Sequence, residues 1–203
     1  MHVLVPVKTS AWAKSRLSAV LDAQGRAQLV AWMLEGVLRA AAAVRARSLR
    51  VVGGDARTVT VARRYGVEIV PELGHDLNET LSLAAALVRR PGLEPCLFLA
   101  ADLPFVTGDD VQALIDDSQD GRIAAIAPAA DGDGTNALVV PKGCAFEPAF
   151  GPASRVRHRL LLERQGVRVV EVHRPGLAFD VDLPAHLERV RSMMPVGYEA
   201  SRQ

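Results

Sequence analysis

A chain of 203 residues, 49% of them hydrophobic, fits one domain with a sizeable core rather than two. Its 24 basic and 23 acidic residues leave a formal charge of +1, too balanced for a general polyanion binder, so nucleic acid is not an expected partner. No apolar run approaches the ~20 residues of a membrane span, and Val3-Leu4-Val5 is too short for a signal peptide and meets Pro6 and Lys8 at once. A soluble, cytoplasmic protein with no membrane partner is expected.

In chain order, His2 to Val7 reads as a first strand. Asp22 caps a helix to about Val44, with Leu29, Trp32, Met33, Leu34, Val37 and Leu38 on its apolar side. That broad face suits either the core or a contact between two copies, which leaves a homodimer open. Leu49 to Val52 is a short strand ended by Gly53-Gly54. A helix over Thr58 to Tyr65 stops at Gly66, and Val67 to Val70 is the third strand. Asn78 opens a helix to about Arg90, ended by Pro91-Gly92. Cys96 to Ala101 is apolar throughout, as in a central strand buried on both faces.

Gly108 to Asp117 reads as a helix. Ile123 to Pro128 and Asn136 to Val140 are strands, separated by the turn Asp131-Gly132-Asp133-Gly134. A helix spans about Ala153 to Gln165, Val167 to Val172 and Leu177 to Val181 are late strands, and Pro184 starts the last helix. The pattern predicts one α/β domain over residues 1–194, with a mixed, mostly parallel sheet flanked by helices, and a C-terminal tail over 195–203. Cys96 and Cys144 show no metal or disulfide spacing and read as buried thiols.

Ligands of open α/β sheets bind at the carboxyl ends of strands, and three segments there carry charge. The loop after the first strand, Pro6 to Leu17, holds Lys8, Lys14 and Arg16, cations suited to a polyphosphate or, taken alone, to a solvated basic surface loop; it matches neither GxxxxGK[ST] nor GxGxxG. Asp102 follows the most apolar strand directly, where a carboxylate is costly unless paired or metal-bound, or else serves a turn. Asp180 and Asp182, two apart in an extended segment, point to one side, and a cation such as Mg²⁺ relieves their repulsion. Alternatively, Asp182 caps the helix from Pro184. His2, His75, His158, His173 and His186 form no triad or metal pattern and read as structural or surface residues.

These segments carry a resemblance to a known family. PVKxxxxAKSRL over Pro6 to Leu17, ADLP over Ala101 to Pro104, GTNAL over Gly134 to Leu138, FGPAS over Phe150 to Ser154 and PGLAFDVDLP over Pro175 to Pro184 resemble, in that order, the 2-phospho-L-lactate guanylyltransferase family, whose bacterial members include phosphoenolpyruvate guanylyltransferases. The resemblance runs from Val5 to about Leu187. It implies the nucleotidyltransferase (glycosyltransferase-A-like) fold. It also implies transfer of GMP from GTP to a three-carbon phospho-acid with release of pyrophosphate, a step in building coenzyme F-420.

It further implies a magnesium site at Asp102, Asp180 and Asp182, acceptor contacts at Thr135, Gly151 and Ser154, and a triphosphate loop with Lys8, Lys14 and Arg16. Asp102, Lys14 and Arg16 are the catalytic candidates. Ser154 is expected near a helix N-terminus whose dipole favours anions. Pro71 to Asn78 departs from the glycine-rich form usual in the family but keeps Leu77-Asn78. Asn78 is a candidate for ribose or base, or a cap for its helix. The favoured acceptor is phosphoenolpyruvate, before 2-phospho-L-lactate or 3-phospho-D-glycerate. A cytidylyltransferase, a molybdopterin guanylyltransferase and a non-catalytic nucleotide-binding module are the rival readings.

Overall fold

In a computed structural model of the chain, residues 1–8, 14–89 and 94–194 are described. The expected end of the third helix at Pro91-Gly92, the middle of the Pro6 to Leu17 loop and the tail lie outside them.

Seven strands form one sheet: β1 (His2–Val7), β2 (Ser48–Gly53), β3 (Glu68–Val70), β4 (Cys96–Leu99), β5 (Ala124–Pro128), β6 (Thr135–Val140) and β7 (Val169–Glu171), in the order β3-β2-β1-β4-β6-β5-β7. β1 pairs in parallel with β2 and β4, β2 with β3, and β5 with β7. Only β6 runs against its neighbours β4 and β5. The sheet is therefore mixed, as expected, but its antiparallel part comes from the β5–β6 pair rather than from the last strands.

Strand residues alternate between two cores. Val3, Val5, Leu97, Leu99 and Val139 face α1 (Ala23–Ala42), α2 (Ala56–Arg64) and α4 (Gly108–Asp117). Leu4, Phe98, Ile126 and Leu138 face α3 (Leu77–Val88) and α5 (Ser154–Glu163). Both sides of β4 are buried, which is why it reads as one apolar run. On the broad face of α1, Leu29, Met33, Leu34, Val37 and Leu38 are buried in the chain's own core, while Trp32 is only half-buried.

Helix starts follow aspartates more closely than the apolar pattern suggested. Asp22, Asp55 and Asp76 each accept hydrogen bonds from first-turn N–H groups, so α2 and α3 begin at Ala56 and Leu77. Asp76, not Asn78, caps α3. A capping box of Thr107 and Asp110 opens α4. Among the described residues no helix is long and apolar enough to cross a membrane. Cys96 and Cys144 are free and buried, and burial pushes the Cys96 thiol up to about 12.

One expected element is overturned. Leu177 to Val181 is no strand: α6 (Pro175–Ala178) is a helical turn, and Phe179 begins an extended segment. Pro175 at the first helical position favours the turn. Gly176 lets it dock against α4, since a Cβ there would stand 2.1 Å from Asp110 Oδ2 and 2.7 Å from the Phe105 carbonyl. The Asn136 amide donates to the Leu177 and Ala178 carbonyls at 3.0 and 3.1 Å, closing the end of the turn. Gly176→Ala is expected to lower stability by about 1–3 kcal/mol, the usual cost of overpacking, as read by urea denaturation. A smaller loss than any overpacking would show that α6 yields freely. The last helix, α7 (Pro184–Val190), begins where expected.

Candidate active site

The parallel strands β1 and β4 end at the same edge of the sheet, and antiparallel β6 begins there: Leu99 lies opposite Ala137, so Thr135 and Asn136 flank the chain leading to Asp102. The 3-10 turn Ser15–Leu17 and the segment after α6 close over this edge. Leu17 and Val181, both fully buried, share one apolar cluster with Leu29, Met33 and Phe179. That cluster sets Lys14 and Arg16 against Asp180 and Asp182. Alternation in the extended segment then turns Phe179 and Val181 inwards and leaves both aspartates half-buried at the cleft.

The cleft has a volume of about 620 Å³. It is lined by Lys8, Lys14 and Arg16, by Asp102, Asp180 and Asp182, and by Thr135, Gly151 and Ser154. Asn78 is not on its wall. Its amide donates to the Phe150 carbonyl at 3.1 Å and accepts from the Phe150 N–H at 2.7 Å. It therefore fixes the backbone beside Gly151 rather than capping α3.

Carboxylate oxygens of Asp102, Asp180 and Asp182 lie within 4.8 Å of one another. Burial, then the neighbouring Asp102 and Asp182 charges, hold Asp180 above the ordinary carboxylate range against the pull of Lys14. For Asp182, burial acts upwards, but Lys14, Arg16 and His186 outweigh it and leave the group below its usual value. The buried Lys14 ammonium contacts Asp102 and donates to Asp182 Oδ1 at 2.7 Å. Burial disfavours its charge, yet the two aspartates more than compensate. The cap of α7 is Leu183, with no side-chain bond, so Asp182 is not a helix cap. Three converging oxygen donors, mutually repelling and bridged by a cation, fit a hard divalent metal such as Mg²⁺.

The acceptor candidates differ in what they offer. Thr135 opens β6 and lines the cleft. Gly151 has φ +117°, a conformation that excludes most side chains. Ser154 starts α5, as expected, but its helix end is partly satisfied already: the Asp133 carboxylate accepts from the Ala153 N–H at 2.8 Å, and the Asp133 carbonyl accepts from the Arg155 N–H at 3.1 Å. A side pocket of about 140 Å³ adjoins the cleft through Lys8 and is lined by Glu72, Gly53, Leu77 and Thr80. Glu72 carried no signal in the sequence beyond its type, and Asn136 none beyond its place in the GTNAL stretch.

His158 is fully buried behind Thr135, with its ring edge-on to Phe150 at 4.6 Å. Burial, helped by Arg157, lowers it to about 4 from 6.5. Because the unfolded chain takes up this proton first, the stabilisation from a neutral His158 is complete above about pH 6.5 and lost as pH falls to about 4. Wild-type protein is expected to lose about 2–3 kcal/mol more than His158→Gln between pH 7 and 4.5, as measured by urea denaturation at each pH. Equal losses would show that the ring is not held neutral.

A mixed sheet of this order, with a cation loop facing three carboxylates at the strand ends, defines a nucleotidyltransferase fold. Among solved structures the chain is similar to one described as a nucleotide-diphospho-sugar transferase from Desulfovibrio desulfuricans G20, with a TM-score of 0.75, 21% identity and 98% and 90% of the two chains covered. It is also similar to CMP:2-keto-3-deoxy-manno-octonic acid synthetase complexed with CTP, with a TM-score of 0.57, 17% identity and 94% and 96% covered. These likenesses concern the fold. The family model "Guanylyl transferase CofC like" matches residues 1–190, and the chain belongs to that family. It is 37% identical over 195 residues to a phosphoenolpyruvate guanylyltransferase of Sphaerobacter thermophilus, covering 96% of this chain and 94% of the relative. A protein of the same name from Rubrobacter xylanophilus is 38% identical over 202 residues, with 100% and 98% covered. The chain is a nucleotidyltransferase of the guanylyl-transferring type.

Proposed function

We propose that the chain transfers GMP from GTP to phosphoenolpyruvate, with 2-phospho-L-lactate and 3-phospho-D-glycerate as the next acceptors, and releases pyrophosphate, as a step towards coenzyme F-420. The convergence of Asp102, Asp180 and Asp182 beside Lys14 carries this reading. The names of the relatives favour phosphoenolpyruvate.

Lys8, Lys14 and Arg16 neutralise the triphosphate and orient its α-phosphorus. Mg²⁺ held by the three aspartates would supply charge neutralisation at the phosphoryl oxygens. The acceptor phosphate is already an anion, so one of its oxygens bonds to the α-phosphorus as the α–β bridge breaks and pyrophosphate leaves. No proton has to be removed, and the wall of the cleft accordingly needs no general base. Thr135 and Ser154 hydroxyls and the Gly151 backbone hold the acceptor. Guanine presents N1–H and 2-amino donors, which match a carboxylate such as Glu72 in the side pocket.

Purified protein with Mg²⁺ and each of the four nucleoside triphosphates, offered the three acceptors in turn, tests the reading by product mass. GTP with phosphoenolpyruvate is expected to give a guanylylated product and pyrophosphate. Product from CTP but not GTP, or none from any pair, would overturn it.

A further inference from the structure

The wall behind Thr135 contains a buried imidazole that the reaction as described leaves unused. His158 Nε2 receives the Ala149 backbone N–H at 3.0 Å, and Nδ1 lies 3.1 Å from Thr135 Oγ1. A backbone N–H can only donate, so Nε2 must carry a lone pair. The proton of the neutral ring therefore sits on Nδ1, and the Thr135 hydroxyl accepts it. With that lone pair engaged, the hydroxyl's own proton is left free to donate, and Thr135 lines the cleft.

We propose that His158 is a positioning residue for the acceptor: its Nδ1–H fixes Thr135 as a donor, aimed at an anionic oxygen of the bound phospho-acid. This rests on the acceptor site of the preceding section. The same ring sets the loop on the other side of the seat. His158 holds Ala149, and Asn78 holds both polar backbone groups of Phe150, so the two residues before Gly151 are clamped by side chains from α5 and α3. The Phe150 and Phe146 rings pack on the imidazole at 4.6 and 5.5 Å and keep water from competing for either nitrogen. A free hydroxyl rotor donates in any direction, whereas one that accepts from behind has fewer directions left in which to donate. That difference is worth most against a charged acceptor, where one hydrogen bond contributes about tenfold or more in affinity.

Two measurements test the proposal. A ¹H–¹⁵N long-range correlation spectrum of the imidazole reads the tautomer without any turnover: the Nδ1–H form is expected, and the Nε2–H form overturns the proposal. A cycle of Thr135→Val, His158→Gln and the double variant then asks whether the histidine acts through the hydroxyl. Each single change is expected to raise the KM for phosphoenolpyruvate about 10-fold and to leave the KM for GTP within about twofold. The double variant is expected to be no worse than Thr135→Val. Additive losses, or equal rises in both KM values, would mean that His158 only holds up the fold. If the wild-type protein turns over no phospho-acid with GTP, the proposed function fails, while the tautomer still decides the arrangement at Thr135.

Discussion

Asp102→Asn is expected to lower kcat/KM by at least ~100-fold, about 2.7 kcal/mol of transition-state stabilisation. The substitution is nearly isosteric and keeps the backbone carbonyl that accepts from the Val181 N–H at 3.4 Å, so the segment carrying Asp180 and Asp182 stays tied to the end of β4. What changes is the charge. Two carboxylates remain where three converged within 4.8 Å, and the amide presents a donor towards the cation site. The loss should therefore be accompanied by a higher Mg²⁺ requirement in pyrophosphate-release assays. Melting temperature should hardly move, because Lys14 retains Asp182 as a partner. Full activity in the variant would sink the three-carboxylate site.

The sequence made the main architecture legible where one force dominates. β4 could be read because both its faces are buried, and α1 because its apolar side is broad and Asp22 caps it. The three converging aspartates were legible for a related reason: Asp102 follows the most apolar strand, and Asp180 and Asp182 keep their two-residue alternation even though the segment lies outside the sheet. What failed was local shape fixed by tertiary contact. The turn of α6 depends on Gly176 meeting Asp110, sixty-odd positions away, and on Asn136 reaching across from β6. Neither partner is visible from the apolar run Leu177 to Val181. Asn78 likewise carried a plausible polar role, but only the fold shows that Phe150 takes up its amide. His158 lies on a helix with no motif around it, and its significance comes wholly from which two groups it bridges.

In the proposed reaction Lys14 has two jobs of opposite sign. In the structure its ammonium is the counter-ion of Asp102 and Asp182, standing where a divalent cation would compete. Removing it leaves three carboxylates facing one another, at a cost on the order of 1–3 kcal/mol per pair after solvent screening. Lys14→Met retains the apolar stem of a side chain that is only 8% exposed. The variant should therefore be less stable without metal. It should also bind Mg²⁺ or Mn²⁺ about 10-fold more tightly, since no ammonium has to be displaced from the oxygens. Turnover at saturating metal should nevertheless fall by ~100-fold, because the triphosphate has lost a cation at the point of reaction. Metal-dependent thermal shifts without nucleotide and steady-state assays with GTP read the two effects separately. A purely structural lysine would weaken metal binding and turnover together, and a solvated one would change neither. Only a residue that exchanges carboxylates for phosphate as the metal arrives moves the two in opposite directions.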